Sequence, residues 1–208
     1  MSAVWVKICG ITRLEDAVCA ARFGADAVGF IFAESPRRLT PEAAREISRR
    51  MPDGPARVGV FADTPLGEVR EVTDYCGLDM VQLHGGEDPD YCSQISGSAI
   101  KAFRVNGGLE VARANGYPCY AVLFDFRCRK DGGLDAGGMA MLRLLEGKCK
   151  VILAGGLNEE NVAEAIRAAH PYGVDVSSGI ESSPGVKDPV RMYRFIERAR
   201  RAAYDLRG

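Results

Sequence analysis

The sequence has very little from which a metal site could be built. It contains two histidines among 208 residues, and its seven cysteines include no Cys-x-x-Cys pair. Because zinc sites draw on clustered cysteines and histidines, we expect no metal site of this kind. Several cysteines fall in apolar segments, where cysteine acts as a small hydrophobe. Unpaired cysteines of this kind lead us to expect a reducing, cytoplasmic compartment.

An excess of one charge and long apolar runs are also missing. Twenty-seven Lys and Arg oppose 28 Asp and Glu, which gives a formal net charge of −1. This balance provides no electrostatic reason to expect nucleic acid or an anionic membrane as a partner. No apolar run is long enough to span a bilayer. The first residues show no charged segment followed by an apolar one, so we expect no signal peptide.

What the sequence does contain is a regular alternation of two patterns. Eight short apolar segments, rich in Val, Ile and Phe, recur along the whole chain, as expected of parallel strands buried on both faces. These predicted strands are Trp5–Cys9, Ala27–Phe32, Arg57–Phe61, Met80–Leu83, Ile100–Arg104, Ala121–Phe124, Val151–Ala154 and Gly173–Val176.

Amphipathic segments lie between the predicted strands. Three of them place apolar residues at positions i, i+3, i+4 and i+7, which predicts helices that pack on a sheet. The three stripes are Leu14, Ala17, Val18, Ala21; Val162, Ala165, Ile166, Ala169; and Met192, Phe195, Ile196, Ala199. Thr12 with Glu15 predicts a capping box. A cap residue before proline predicts four more helix starts, at Thr40-Pro41, Thr64-Pro65, Asp88-Pro89 and Asp188-Pro189.

Eight strand–helix units in about 200 residues predict one (β/α)₈ TIM barrel over residues 1–208, a single α/β domain. A doubly wound sheet uses the same local units. The count of eight, and the absence of Gly-x-Gly-x-x-Gly after the first strand, favour the barrel. The longest irregular stretch, Asp125–Gly138, is rich in glycine, and a loop of that length is usually functional.

In such barrels the active site lies at the carboxyl ends of the strands, which directs attention to two loops. Gly155 and Gly156 follow the seventh strand, and Ser178 and Gly179 follow the eighth. Glycine lets the backbone approach an anion closely, and amides at a helix start favour phosphate. The alternative is that these are ordinary turn glycines. Two such loops at these strand positions favour a phosphate site.

Cys9 and Asp125 are the candidate catalytic residues. Cys9 ends the first strand on the same face as Lys7, and Lys7 and the following helix start could favour a thiolate. The alternative for Cys9 is a buried strand cysteine, the commoner fate of this residue. Asp125 follows the sixth strand, where burial would favour the protonated form that a general acid needs. The alternative for Asp125 is a cap in a loop.

Other polar residues on the strands or at their ends are candidates for substrate binding. Arg37 could clamp a carboxylate or phosphate with its planar fork, or it could be a solvated loop charge. His84 could equally form structural hydrogen bonds. We also expect Lys7, Gln82 and Asp175 to face the substrate.

Taken together, six segments resemble the phosphoribosylanthranilate isomerase family of tryptophan biosynthesis. They are Val6–Thr12, Gly24–Phe30, Ser35–Arg37, Val81–Gly85, Leu153–Leu157 and Asp175–Glu181. The resemblance implies an Amadori rearrangement of N-(5-phosphoribosyl)anthranilate to its 1-deoxyribulose isomer, without a metal or organic cofactor. The partner it implies is therefore a small phosphosugar. Barrels of this family occur as monomers and as homodimers, and the sequence leaves both open.

The resemblance also implies roles for individual residues. Cys9 matches the family's general base and Asp125 its general acid, while Arg37 matches an arginine that contacts the substrate. The two phosphate-binding loops match Gly155 with Gly156 and Ser178 with Gly179.

One segment departs from the family pattern. Gly132–Met141 lacks the hydroxyl residue and the tryptophan that relatives usually carry after the sixth strand. This departure keeps two alternatives open: a non-catalytic phosphosugar-binding barrel and an isomerase with a shifted substrate. The related isomerase of histidine synthesis uses aspartates at both catalytic strand ends, and Cys9 argues against that substrate.

Overall fold

Eight parallel strands close into a barrel in the order β1 to β8, so the predicted TIM-barrel fold is confirmed. The computed structural model describes residues 4–95, 97–105, 113–114, 116–126, 142, 145 and 148–206. The strands are β1 (Trp5–Cys9), β2 (Ala27–Ile31), β3 (Ala56–Phe61), β4 (Met80–Leu83), β5 (Ala99–Val105), β6 (Ala121–Phe126), β7 (Val151–Ala154) and β8 (Gly173–Val176). Four of these match the predicted bounds, and the others differ by one or two residues at their ends.

The difference that bears on function is at β6. The sequence predicts that this strand ends at Phe124, but it continues to Phe126. Asp125 pairs with Arg104 of β5 and Ala154 of β7, so the ladder extends beyond the apolar run. Asp125 is therefore fixed by sheet pairing on both sides rather than carried by a loop.

Helices cover the outside of the barrel. The described ones are α1 (Leu14–Arg22), α2 (Pro41–Arg50), α3 (Leu66–Cys76), α4 (Pro89–Ser93), α5 (Val162–Ala169) and α6 (Pro189–Asp205). The predicted stripes of α5 and α6 are fully buried. The stripe of α1 is shifted: Asp16, Ala17 and Ala20 are buried. The side chain of Asp16 can be buried there because it accepts hydrogen bonds from Arg13 and from the Lys187 backbone.

Three of the five predicted helix caps form. The side chains of Thr40, Asp88 and Asp188 accept backbone N–H groups of the first turn. The capping box at Thr12 is wrong, because helix α1 has Arg13 as its N-cap and the Thr12 hydroxyl donates to the Gly185 carbonyl. Thr64 does not cap α3 either, since its hydroxyl donates to the Ala62 carbonyl.

The alternation of the strands divides the core into two layers. Leu123 and Ile152 belong to a cluster inside the barrel, whereas Phe124 and Leu153 pack in the layer between the strands and the helices. A strand places every second residue on the same face. Asp125 therefore lies on the inner face with Leu123, and this alternation also turns the site residues of the other strands inward.

Two further features complete the fold around the barrel mouth. A short 3₁₀ turn (Ser178–Ile180) and a two-stranded ribbon, β9 (Glu181–Ser183) with β10 (Val186–Lys187), follow β8. Within the described part of the chain, no helix is long and apolar enough to cross a membrane.

Candidate active site

A cavity of about 230 Å³ opens at the carboxyl ends of the strands, and most of the predicted site residues meet there. Nine of the eleven line it: Cys9, Gln82, His84, Asp125, Gly155, Gly156, Asp175, Ser178 and Gly179. The inward alternation of β1, β4, β6 and β8 explains why residues distant in sequence share one space.

Lys7 does not line this cavity. It lies one strand layer below Cys9 and is completely buried, and its ammonium group donates to Asp175 Oδ1 at 2.8 Å and to Gln82 Oε1 at 2.9 Å. Burial alone would lower the pKa of Lys7, but the Asp175 carboxylate reverses this and the net pKa is raised. Lys7 is therefore a fixed positive charge beneath the site.

Cys9 lies at the cavity floor and is 5% exposed. Burial raises the pKa of the Cys9 thiol, and the nearby Lys7 charge only partly opposes that shift. Lys7 therefore acts on Cys9 in the expected direction, toward the thiolate, but burial outweighs it and the net pKa of Cys9 stays raised. Space for this side chain depends on Gly29 of β2, where a β-carbon would lie 2.8 Å from Cys9 Sγ.

Asp125 lines the same cavity as Cys9, but it is less buried than expected from the sequence. Its side chain is 31% exposed, because β6 carries it to the rim of the barrel. Asp125 Oδ2 lies 3.4 Å from His84 Nε2, which projects from the end of β4. The acid candidate thus has one oxygen near an imidazole and remains accessible to a ligand.

Arg37 also lies outside the cavity lining, held at its edge by an acidic partner. Its Nε and Nη2 donate to the two oxygens of Glu181 at 2.7 and 2.6 Å. Gly10, with φ +70°, makes room for Arg37, whose Cδ would lie 2.6 Å from a β-carbon there. The bidentate pair fixes the guanidinium plane and leaves Nη1 uncommitted to Glu181.

Arg37, Glu181 and Lys187 form a cluster of charged side chains, and neither Glu181 nor Lys187 was predicted from the sequence. Glu181 also accepts a hydrogen bond from Lys187 Nζ at 2.9 Å, and Lys187 is 1% exposed. Burial would raise the pKa of Glu181, but Arg37 and Lys187 lower it overall, so this carboxylate is ionised. Glu181 could have been found from the sequence because it ends Asp175–Glu181, one of the six segments that resemble the family. No sequence pattern indicates Lys187.

The two glycine loops pack directly against neighbouring backbone. A β-carbon at Gly155, which has φ +93°, would overlap the Phe126 carbonyl, and one at Gly179 would overlap the Leu157 carbonyl. Both positions therefore require glycine. The loops after β7 and β8 are in this way brought side by side at one end of the cavity.

Two further observations help to define the location and the chemistry of the site. A larger cavity of about 600 Å³ lies between the loops after β2 and β3, but none of the predicted site residues lines it. Among the described residues, no group of three His, Cys, Asp or Glu is arranged to hold a metal ion. The divergent segment Gly132–Met141 lies outside the described residues.

Known proteins match this sequence and fold over nearly their full length. The family model for N-(5′-phosphoribosyl)anthranilate (PRA) isomerase matches residues 6–198. A relative of that name from Desulforamulus reducens is 46% identical over 209 residues, 99% of each chain. A crystal structure of PRA isomerase in complex with reduced 1-(o-carboxyphenylamino)-1-deoxyribulose 5-phosphate has a TM-score of 0.84 and 39% identity, covering 94% of this chain and 98% of that one. Monomers generated from the dimeric enzyme of Thermotoga maritima give a TM-score of 0.85 at 39% identity, with the same coverage.

Proposed function

The chain belongs to the N-(5′-phosphoribosyl)anthranilate isomerase family, and we propose that it performs that family's Amadori rearrangement with Cys9 as base and Asp125 as acid. The reaction converts phosphoribosylanthranilate to 1-(2-carboxyphenylamino)-1-deoxyribulose 5-phosphate in tryptophan biosynthesis. The observation that carries the residue assignment is that Cys9 and Asp125 line one cavity, with the two glycine loops at its end.

The acid step suits Asp125. Opening the furanose ring requires a proton on the ring oxygen as the C1–O bond breaks and the anilino nitrogen lone pair forms a C=N bond. Asp125 lies at the rim, within reach of a ligand in the cavity, and its carboxyl group can deliver that proton. The product of this step is a protonated Schiff base with a free hydroxyl at C4.

The base step suits Cys9. The protonated Schiff base makes the hydrogen at sugar C2 acidic, and Cys9 takes that proton while the electron pair neutralises the C=N nitrogen. The resulting enolamine tautomerises to the ketone. The buried Lys7 ammonium lies close enough to Cys9 to favour the thiolate that forms the base.

The remaining residues would hold the substrate. We assign the phosphate to the loop amides at Gly155, Gly156 and Gly179 and to the Ser178 hydroxyl, the groups that surround one end of the cavity. Lys7 supports this site from below through Gln82 and Asp175 rather than by direct contact. We propose a cytoplasmic protein that acts as a monomer or a homodimer; the Thermotoga maritima relative is described as dimeric.

The function is tested by the purified chain and by cells that lack this activity. We expect the protein to remove the fluorescence of phosphoribosylanthranilate with saturation kinetics and to restore growth of a tryptophan auxotroph without the isomerase. A folded protein that binds phosphate but does neither would overturn the proposal. Turnover of the corresponding histidine-pathway substrate, with none of the anthranilate one, would redirect it to that class.

Arg37 provides a more specific prediction. Changing Arg37 to Lys keeps the charge beside Glu181 but loses the planar fork that can hold Glu181 and a substrate carboxylate together. We expect KM to rise about tenfold, the loss of roughly 1.4 kcal/mol of binding, with kcat nearly unchanged. The matched control is Arg38→Lys, at an exposed neighbouring position, where steady-state kinetics should match the unmodified protein. Equal KM values in the two variants would remove Arg37 from the binding site.

A further inference from the structure

We propose that His84 is a positioning residue that orients Asp125 through a hydrogen bond completed when the substrate binds, at the end of a row of polar groups running Lys7–Gln82–His84–Asp125. The inference rests on the proposed role of Asp125 as general acid and adds the group that holds it. It also replaces the expectation that His84 itself binds the substrate.

The row of polar groups begins at Lys7, whose ammonium group can act only as a hydrogen-bond donor. Lys7 Nζ can only donate, so Gln82 must present its carbonyl oxygen there, which lies at 2.9 Å. The amide nitrogen of Gln82 then faces the other way, 3.4 Å from His84 Nδ1. Because an amide nitrogen donates, Nδ1 must accept. The orientation of Gln82 therefore fixes the neutral tautomer of His84 that carries its proton on Nε2.

The proton on Nε2 points to one acceptor. His84 Nε2 is buried and makes no hydrogen bond of full geometry to any described residue, while Asp125 Oδ2 lies 3.4 Å away. Side chains in free active sites often stand slightly apart and close when a ligand binds. A small rotation of the partly exposed Asp125 carboxyl group would complete this bond.

The loop that carries His84 is itself held rigidly. Lys101 Nζ, almost fully buried on β5, donates to the Gly85 carbonyl at 2.7 Å and to Glu87 Oε2 at 2.8 Å. The same Glu87 oxygen accepts the Gly85 N–H at 2.9 Å. His84 thus projects from a braced turn, which suits a positioning role better than an adaptable ligand contact.

The hydrogen bond from His84 would determine which of the two Asp125 oxygens carries the proton. A donor on Oδ2 leaves Oδ1 as the oxygen that carries the transferable proton, directed away from His84. Without that donor the carboxyl group can rotate, and the proton is less often placed toward the ring oxygen. The effect should appear in kcat, because it concerns the reacting geometry rather than substrate binding.

The test compares two variants that differ in which imidazole nitrogen they replace. Asparagine at position 84 can still accept from Gln82 but is too short to reach Asp125, whereas glutamine can place its amide nitrogen near the Nε2 position. We expect His84→Asn to lower kcat about tenfold, the loss of one hydrogen bond to the carboxylate that forms as Asp125 releases its proton, with KM within about twofold. His84→Gln should recover most of that loss. Equal kcat in both variants, with unchanged thermal unfolding, would overturn the inference.

A second measurement separates this inference from the proposed function. In an Asp125→Asn background, His84→Asn should cause no further loss of kcat, because the residue acts through Asp125. If the two losses multiply, His84 does not act through Asp125 and the inference fails alone. If Asp125→Asn has near-normal turnover, the proposed acid fails instead.

Discussion

Replacing Cys9 by alanine should lower kcat by roughly 10²–10⁴-fold, the usual contribution of a positioned general base. KM should change little, because the phosphate loops and Arg37 lie on other elements. Steady-state rates from the decay of substrate fluorescence measure the effect. The matched control is Cys76→Ala, another buried cysteine, which lies on α3 away from the barrel mouth. A Cys9→Ala protein that is folded and turns over at a near-normal rate would contradict the assigned base.

The raised pKa of Cys9 adds a pH dependence with a definite sign. Raising a thiol's pKa reduces the thiolate fraction at neutral pH, so kcat/KM of the free enzyme should increase as the pH rises toward that pKa. An aspartate at position 9 would already be ionised at neutral pH. We therefore expect Cys9→Asp to retain part of the activity and to lose the alkaline increase. The same alkaline increase in Cys9→Asp would assign it to another group.

Changing Asp125 to Asn should produce a loss of similar size, also roughly 10²–10⁴-fold in kcat. The amide has nearly the same shape and remains in the β6 ladder, but it cannot release a proton to the ring oxygen. Stability should change little because the side chain is only partly buried. The measurement is kcat together with the thermal unfolding midpoint.

The control for this variant is another aspartate at the same end of the barrel. Asp63, with φ +52°, accepts the Gly86 N–H and lies outside the candidate cavity. Asparagine tolerates this backbone conformation and can accept the same hydrogen bond. Asp63→Asn should therefore stay within a few-fold of normal turnover. If Asp63→Asn and Asp125→Asn lose activity equally, the loss reflects the charge of the barrel mouth rather than proton transfer.

The architecture could be predicted well from the sequence because strands and helices depend on local residue patterns. Apolar segments such as Val151–Ala154 mark buried strands, and the stripe of α6 marks the face that packs on them. The rule that barrel sites lie at strand ends then located nine of the eleven candidate residues at one cavity. Neither step needs any knowledge of which side chains touch.

The sequence did less well where the outcome depends on tertiary contacts. Thr12 carries a good cap signal, but the distant Gly185 carbonyl competes for its hydroxyl. The protonation of Cys9 is decided by burial against the charge of Lys7, and no local pattern reports that balance. Glu181 and Lys187 meet only through the ribbon after β8. The family resemblance supplied roles for residues whose contacts the sequence alone could not give.

The divergent segment Gly132–Met141 suggested a non-catalytic or substrate-shifted barrel, and the comparisons give that alternative no support. PRA isomerase is the name of the relative matched over 99% of both chains and of the matched ligand complex.

The most direct test uses a substrate that carries deuterium at sugar C2, turned over by the Cys9→Ala and Asp125→Asn variants. Removing the base makes abstraction of the C2 hydrogen the slow step, so Cys9→Ala should show a primary isotope effect on kcat. Removing the acid makes ring opening slow, so Asp125→Asn should show none. An isotope effect in Asp125→Asn together with none in Cys9→Ala would contradict the account.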